Sequence, residues 1–169
     1  MSDNQTHIIA VIVEHKPGVL HRVSNMFRRR GFNIESISVG PTGQEGLARM
    51  TITVNGDERI IEQVIKQLSK LIEVVKVSEL DPAATVIREM ALVKVYTSDA
   101  RNRSDVIHYT DIFRGRVVDV STESITVEIT GDSDKINAFV GLMKAFGVKE
   151  LARTGVTALS RGAKSVKIE

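Results

Sequence analysis

The chain has 169 residues, enough for one domain or two small ones, and its formal net charge of only +2 gives no electrostatic argument for a nucleic-acid or membrane partner. Aromatic residues make up only 4% of the chain, so its core must be aliphatic. Cysteine is absent, which excludes disulfides, thiolate zinc sites and a cysteine nucleophile, and is typical of a protein in the reducing cytoplasm.

The first predicted elements are a strand and a helix. Residues 8–13 form a continuous apolar run, as expected of a strand that is buried on both faces. Pro17 and Gly18 end this run, and proline is favoured in the first turn of a helix. Apolar residues then recur at helical spacing until Gly31, a natural helix stop. The predicted apolar face consists of Val19, Leu20, Val23, Met26 and Phe27.

Two strands, a helix and a fourth strand are predicted next. The second strand takes in Ile34, Ile37 and Val39, and a glycine-rich loop follows at 40–46. Residues 49–54 alternate with period two, which predicts a strand with one face exposed to solvent. Asp57 is a predicted N-cap of the second helix, and residues 73–80 form the fourth strand. The order is βαββαβ, a ferredoxin-like unit of about 75 residues.

The second half repeats this order after a linker at 81–84. Its predicted elements are a strand at 90–96, a helix built on Val106, Ile107, Ile112 and Phe113, a hairpin of 117–121 and 125–130, a helix opened by Asp132, and a strand at 151–159. Shifted by 75 positions, Asp57 falls on Asp132 and Leu68 on Met143. The sequence therefore predicts an α+β protein of two ferredoxin-like βαββαβ domains, at 1–80 and 85–169.

This architecture has consequences for assembly and for binding. Helices cover only one face of such a sheet, and two strands remain at its edges, so we expect a homodimer or a higher oligomer. The turn at 15–19 leads into the first helix, whose free N–H groups favour a carboxylate. Gly18 has no side chain to block a small ligand. On local grounds the alternative, that Pro17-Gly18 is only a turn, stays open.

Several motifs resemble those of one protein family. Residues 13–20 and 29–36 resemble an ACT domain. A larger set resembles the small regulatory subunits of acetohydroxyacid synthase: RGFNIESI at 30–37, RMTI at 49–52, REMALVKV at 88–95, IFRG at 112–115, ARTG at 152–155 and LSRG at 159–162. The resemblance covers nearly the whole chain. It implies that the domain at 1–80 is an ACT domain for sensing and dimerisation, and that 85–169 is the C-terminal domain of a small subunit.

The resemblance also implies a regulatory role. Such subunits bind the catalytic large subunit, raise its activity and confer feedback inhibition, usually by valine. The reaction converts pyruvate to acetolactate by decarboxylation and condensation onto a second 2-keto acid, and it belongs to the large subunit. Thiamine diphosphate, a divalent metal and FAD are expected there. No catalytic residue, metal or cofactor is expected in the present chain.

In this family the effector lies between two ACT domains. The effector-binding residues are then His15, Gly18, Val19 and Leu20 of one protomer, with Asn33 and Ile34 of the other. The resemblance implies that the backbone N–H groups of Gly18 and Val19 bind the effector carboxylate. Asn33 would then hydrogen-bond the polar end of the effector, and Ile34 with Leu20 would line the pocket for its aliphatic side chain.

His15 departs from the family pattern, which often has asparagine at this position. A histidine can donate or accept one hydrogen bond, and histidine is the residue whose charge changes near neutral pH. This departure leaves open which branched-chain amino acid is the effector and how tightly it binds.

The sequence favours this function over several others. An RNA-binding module of the same topology stacks bases on strand aromatics, and residues 49–54 contain none. A stand-alone enzyme would need a general acid, base or cofactor loop, which is not evident. The four histidines lack metal-ligand spacing. The arginines at 28–30 are interpreted as a solvated helix end. A ligand-sensing regulator of another enzyme or of transcription remains the alternative.

Overall fold

The computed structural model describes residues 5–166 and divides into two compact units. The first unit contains the described residues up to Ile87 together with those from Gly155 onward. The second unit is Arg88–Thr154. The sequence-based boundary at 81–84 lies close to the first limit, whereas the segment after Gly155, placed by the sequence in the second domain, belongs to the first unit. Among the described residues, no helix is long and apolar enough to cross a membrane.

The first unit has the predicted βαββαβ order. Its elements are β1 (Gln5–Glu14), α1 (Val19–Arg30), β2 (Ser36–Pro41), β3 (Leu47–Gly56), α2 (Glu58–Leu68) and β4 (Val74–Leu80). The strands form an antiparallel sheet in the order β2-β3-β1-β4. The apolar run of β1 is buried on both faces, as predicted, since Ile8 and Ile9 are 5% and 0% exposed. Ile9 packs in the core beneath the two helices, with Val23, Phe27 and Val64.

The face of this sheet that lies away from the helices is not open. Thr51 and Thr53 of β3 are only 2% and 4% exposed, so the prediction that residues 49–54 have a solvent face is wrong. The reason is a segment from the end of the chain, which includes strand β9 (Thr157–Ser160). Its Val156 and Ala158 are buried against Ile8 and other apolar residues of this face. A segment of the same chain thus covers part of the sheet face that the sequence predicts to be available to a partner.

Side chains of β2 and β3 hold this terminal segment. Ser38 Oγ donates a hydrogen bond to the Val156 carbonyl oxygen at 2.9 Å. Arg49 Nη2 donates to the Ala158 carbonyl oxygen at 2.8 Å. Burial lowers the pKa of the Arg49 guanidinium from its ordinary value because desolvation disfavours the charged form. The guanidinium still remains charged under physiological conditions, so the contact is a charge-assisted hydrogen bond.

The final strand predicted at 151–159 is two strands. β8 (Val148–Arg153) belongs to the second unit, and β9 begins at Thr157 in the first unit. Gly155 lies between them, against the backbone of β2. A Cβ added at Gly155 would lie 2.6 Å from the Ile37 carbonyl oxygen, so only glycine fits without a backbone shift. The alternation of the sequence indicates extended chain, but it does not indicate that the chain passes from the second unit to the first at Gly155.

The second unit repeats the same order. After a short 3₁₀ helix (Pro82–Ala84) come β5 (Thr85–Tyr96), α3 (Ala100–Ile112), β6 (Arg116–Val120), β7 (Ser124–Gly131), α4 (Ser133–Met143) and β8. Its sheet has five strands, in the order β6-β7-β5-β8 with β9 also paired to β5. α2 and α4 are offset by 75 positions, which confirms the alignment, and Phe139 is fully buried. Of the apolar residues that predict α3, Val106 is buried, whereas Ile107 and Ile112 are 40% and 59% exposed.

Candidate functional site

The start of α1 is the first part of the candidate site. The chain leaves β1 at Glu14, and the His15 N–H donates to the Gly46 carbonyl oxygen at 2.8 Å. Pro17 lies in the turn before the helix, and Gly18 is the N-cap residue with φ 85° and ψ −9°. This left-handed conformation is accessible to glycine without the steric cost that a Cβ brings. The backbone conformation of the turn therefore favours glycine at this position.

The N-terminus of α1 differs from that of the other described helices. Each of the other three α-helices has an aspartate N-cap whose carboxylate accepts a backbone hydrogen bond, at distances of 2.7 to 2.9 Å. These caps are Asp57, Asp99 and Asp132. The Gly18 cap makes no side-chain hydrogen bond. Only α1 among these four helices therefore lacks a carboxylate of its own at the end where backbone donors and the helix dipole favour one.

The backbone donors at this end are largely free. Within the described chain, the N–H groups of Gly18, Leu20 and His21 make no hydrogen bond, and the Val19 N–H has only the Lys16 carbonyl oxygen at 3.5 Å. The helical ladder starts with the Arg22 N–H, which donates to the Gly18 carbonyl oxygen at 3.0 Å. Several N–H groups thus converge on one exposed position, which is the arrangement that binds a small anion.

The side chains at this end divide into two kinds. Val19 is 5% exposed and belongs to the core, so it can offer a ligand its N–H but not its side chain. Leu20 is 48% exposed, and His15 is exposed as well. The structure therefore brings His15, Gly18, Val19 and Leu20 together around the helix N-terminus, with Leu20 as their available apolar surface.

Asn33 and Ile34 lie at the opposite end of the sheet. They precede β2, so the prediction that Ile34 belongs to that strand is wrong. The following residue, Glu35, donates its N–H to the Thr53 carbonyl oxygen, and Thr53 pairs with Ile8 of β1. From Ile8 to the far end of β1 at Glu14 is about 20 Å, at roughly 3.3 Å per residue. One chain therefore cannot combine both groups in one site, whereas two copies can.

Local contacts hold these two residues in place. The Asn33 side chain is exposed, and its Nδ2 donates to Glu35 Oε1 at 2.7 Å. Ile34 is partly buried and packs against the core beneath the helices. The Asn33 amide is thus accessible to a ligand that approaches from outside the protomer.

Comparison with known proteins identifies the family of this chain. A family model described as an AHAS small subunit-like ACT domain matches residues 9–76, and a model for the small subunit of acetolactate synthase matches residues 88–162. A probable acetolactate synthase small subunit from Methanothermobacter thermautotrophicus is 60% identical over 161 residues, covering 95% of this chain and 96% of that protein. The chain belongs to the acetolactate synthase small-subunit family. Acetolactate synthase and acetohydroxyacid synthase are two names for one enzyme, so the resemblance found in the sequence is confirmed.

Other members of the small-subunit family support the same assignment. The probable small subunit from Archaeoglobus fulgidus is 55% identical, covering 94% of this chain and 98% of that protein. The crystal structure of the small subunit from Thermotoga maritima superposes with a TM-score of 0.89 at 44% identity, covering 95% of this chain and 99% of that one. The predicted fold, two ferredoxin-like domains with an ACT domain first, is therefore confirmed.

One feature of the candidate site is not evident from any single helix start. The residues before the four helices are Gly18, Asp57, Asp99 and Asp132. The contrast between one glycine and three aspartates is readable from the sequence once the helix starts are known, and it singles out α1.

Proposed function

We propose that this small subunit activates the catalytic large subunit of acetolactate synthase and makes it subject to feedback inhibition by valine or a related branched-chain amino acid. The observation that carries this proposal is the N-terminus of α1, which has backbone donors but no carboxylate of its own. The chemistry from pyruvate to acetolactate, with thiamine diphosphate, a divalent metal and FAD, belongs to the large subunit. The present chain contributes binding.

The effector carboxylate would accept hydrogen bonds from the N–H groups of Gly18 and Val19. Both groups lie where the positive end of the helix dipole adds to the attraction. Exposed Leu20 would contact the aliphatic side chain of the effector together with Ile34 of the second protomer, whose Asn33 would bind the polar end of the effector. His15, which is exposed in the turn before α1, is the remaining residue of the proposed effector site.

Pairing of β2 with β2 of a second copy would assemble this site. β2 is an edge strand, and its last residue, Pro41, pairs with Ala48, which in turn pairs with Val13 near the start of α1. Two-fold antiparallel pairing therefore places the start of one β2, next to Asn33, beside the end of the other. Val39 of this edge is 47% exposed, and such pairing would cover it. The terminal segment covers part of the sheet face but leaves this edge as the route to a dimer.

Ligand-dependent stability tests the sensor role. A ligand that binds only the native state stabilises it by about 2.7 kcal/mol at a hundredfold excess over its Kd. Valine should therefore raise the melting temperature of the purified chain in a concentration-dependent way. Flat melting curves and flat calorimetric titrations with valine, leucine and isoleucine would contradict the sensor role.

A reconstituted assay tests the regulatory role. The chain alone should make no acetolactate from pyruvate, even with added thiamine diphosphate and Mg²⁺. Mixed with its cognate large subunit, it should raise acetolactate formation, and valine should reduce the increase. Turnover by the isolated chain, or no change in the rate of the large subunit, would contradict the proposal.

A further inference from the structure

A basic groove runs between the two helices of the first unit. This α1–α2 groove has a volume of about 360 Å³. Its cationic side chains are Arg22, Arg29 and Arg30 of α1 and Lys70, which follows α2. Its apolar lining includes Met26, which is 9% exposed, and Leu71, which packs against the core. Positive charge and an apolar base thus occur in one concave surface.

The charge of the α1–α2 groove is only partly neutralised. Arg22 Nη1 lies 2.6 Å from Glu73 Oε1. Arg30 Nη2 donates to Gln67 Oε1 at 3.1 Å, which positions the guanidinium without neutralising it. Arg29 and Lys70 make no ion pair with any residue that the structure describes. One carboxylate therefore faces four cations, and the groove retains a positive potential.

Helix stabilisation explains only part of this arrangement. Cations in the last turn of a helix are attracted by its dipole, and that accounts for Arg29 and Arg30. It does not account for Arg22, which lies two turns earlier and which Glu73 holds beside the same groove. The sequence alone indicates a solvated helix end at 28–30, whereas the fold places Arg29 and Arg30 on one surface with Arg22 and Lys70.

The opposite side of α2 has the opposite charge. A second groove there is lined by Glu58, Glu62 and Glu79, with His7 and Arg59. The net charge of the chain is nearly zero, but a basic groove and an acidic groove thus lie on opposite sides of α2. The balanced total of the sequence, which gave no argument for a charged partner, conceals two surfaces of opposite sign.

An exposed aliphatic residue adjoins the basic groove. Ile72 directly follows Leu71 and is 88% exposed. A single exposed apolar side chain is ordinary on a protein surface. Arginine is, however, enriched at protein–protein interfaces together with large apolar side chains that bury on association. The three arginines of the groove, together with exposed Ile72 next to Leu71 in the chain, therefore favour a polypeptide as the ligand.

We propose that the α1–α2 groove docks an acidic segment of the catalytic large subunit. Carboxylates of that segment would pair with Arg29 and Lys70, and an aliphatic side chain would enter between Met26 and Leu71. A phosphate group would satisfy the charges but leave the apolar base uncovered, so an acidic peptide fits both features. This inference rests on the proposed function, because it takes the large subunit as the partner.

Charge reversal in the full-length chain tests the docking site. The variants are Arg29→Glu and Lys70→Glu, and the matched control is Arg59→Glu, an exposed residue of α2 on the opposite side of that helix. All three change the net charge equally. At ~0.1 M salt we expect the first two to weaken the Kd for the large subunit at least about tenfold relative to the control. The difference should shrink at ~1 M salt, where the Debye length falls from about 10 Å to about 3 Å.

Further measurements separate the possible outcomes. The valine-induced rise in melting temperature should be the same in all variants. If Arg29→Glu or Lys70→Glu unfolds the chain, the neutral variants Arg29→Gln and Lys70→Gln are measured in their place. Equal Kd values for groove and control variants would overturn the docking site, while normal stimulation and valine response would leave the proposed function intact. The docking site would also be overturned if the groove variants weaken only the self-association of the chain, measured by sedimentation, and leave binding to the large subunit unchanged. If even the unmodified chain fails to bind the large subunit, both proposals fail.

Discussion

The first helices of the two units occupy the same place in the βαββαβ order but begin in opposite ways. α1 begins after Gly18, which caps no N–H group with a side chain. α3 begins after Asp99, whose carboxylate accepts hydrogen bonds from the Asn102 N–H at 2.7 Å and from its Nδ2 at 2.8 Å. The second unit thus supplies its own carboxylate where the first leaves room for one from a ligand. In the proposed function, this difference in one cap residue is what places the effector site in the first unit and not in the second.

Removing a core phenylalanine from each unit should have the largest effect. Phe27 and Phe139 are 2% and 0% exposed and lie in separate cores. Replacement of either by alanine should cost about 3–5 kcal/mol of unfolding free energy. If the effector site belongs to the first unit, Phe139→Ala should retain valine binding in calorimetry under conditions where the chain stays folded, and Phe27→Ala should weaken it. Equal loss of binding in both variants would mean that the distinction between the units is wrong.

The terminal segment is a second difference between the units. It covers part of the sheet face in the first unit, whereas Leu92, on the corresponding face of the second sheet, is 38% exposed. Gly155→Ala should destabilise the chain by about 1–3 kcal/mol, as overpacking does, because the new Cβ would meet the backbone of Ile37. Gly43→Ala is the control, since a Cβ there meets nothing within 4 Å. Urea unfolding measures both, and equal midpoints would show that the segment is not packed as described.

Gly18→Asp should give α1 an aspartate cap like that of α3 and so remove the difference between the starts of these two helices. Aspartate tolerates the left-handed conformation better than most residues, and its carboxylate would occupy or repel the position assigned to the effector. Since hydrogen bonds to charged groups contribute about 1.5–3 kcal/mol, valine affinity should fall between about tenfold and a hundredfold. Stimulation of the large subunit should persist. Isothermal titration and the coupled assay measure the two effects.

Gly18→Asn is the matched control for this substitution. Asparagine has nearly the same size and the same tolerance of a positive φ, but it carries no charge. It should therefore retain more valine affinity than aspartate. If both variants lose affinity equally, the backbone shape rather than the charge at this position matters. Normal valine inhibition in the aspartate variant would place the effector elsewhere.

Much of the fold could be predicted because its determinants are local. Helical and alternating periodicities identify the elements, and Asp57 and Asp132 identify two helix starts. The position of the terminal segment could not be predicted, since residues 157–160 show that a strand exists but not which surface it covers. Thr51 and Thr53 are polar, so their burial could not be read from composition.

The candidate site was predicted in part for the same reason. The turn before α1 is a local feature, and Pro17-Gly18 indicates both the helix start and its donors. The α1–α2 groove depends on packing between helices, which brings Arg22 near Lys70 across 48 positions of the chain. No pattern in either helix alone indicates that these cations share a surface.

The smallest expected effect comes from the cap of α3. Asp99→Ala removes the acceptor for the Asn102 N–H and should cost about 1 kcal/mol, as loss of an N-cap commonly does. Valine affinity should not change, because the proposed effector site lies in the first unit. Urea unfolding with and without valine measures both quantities in one experiment. A stable variant that loses valine binding would show that the aspartate cap of α3 supports the sensor, and the comparison that separates the two units would then have to be abandoned.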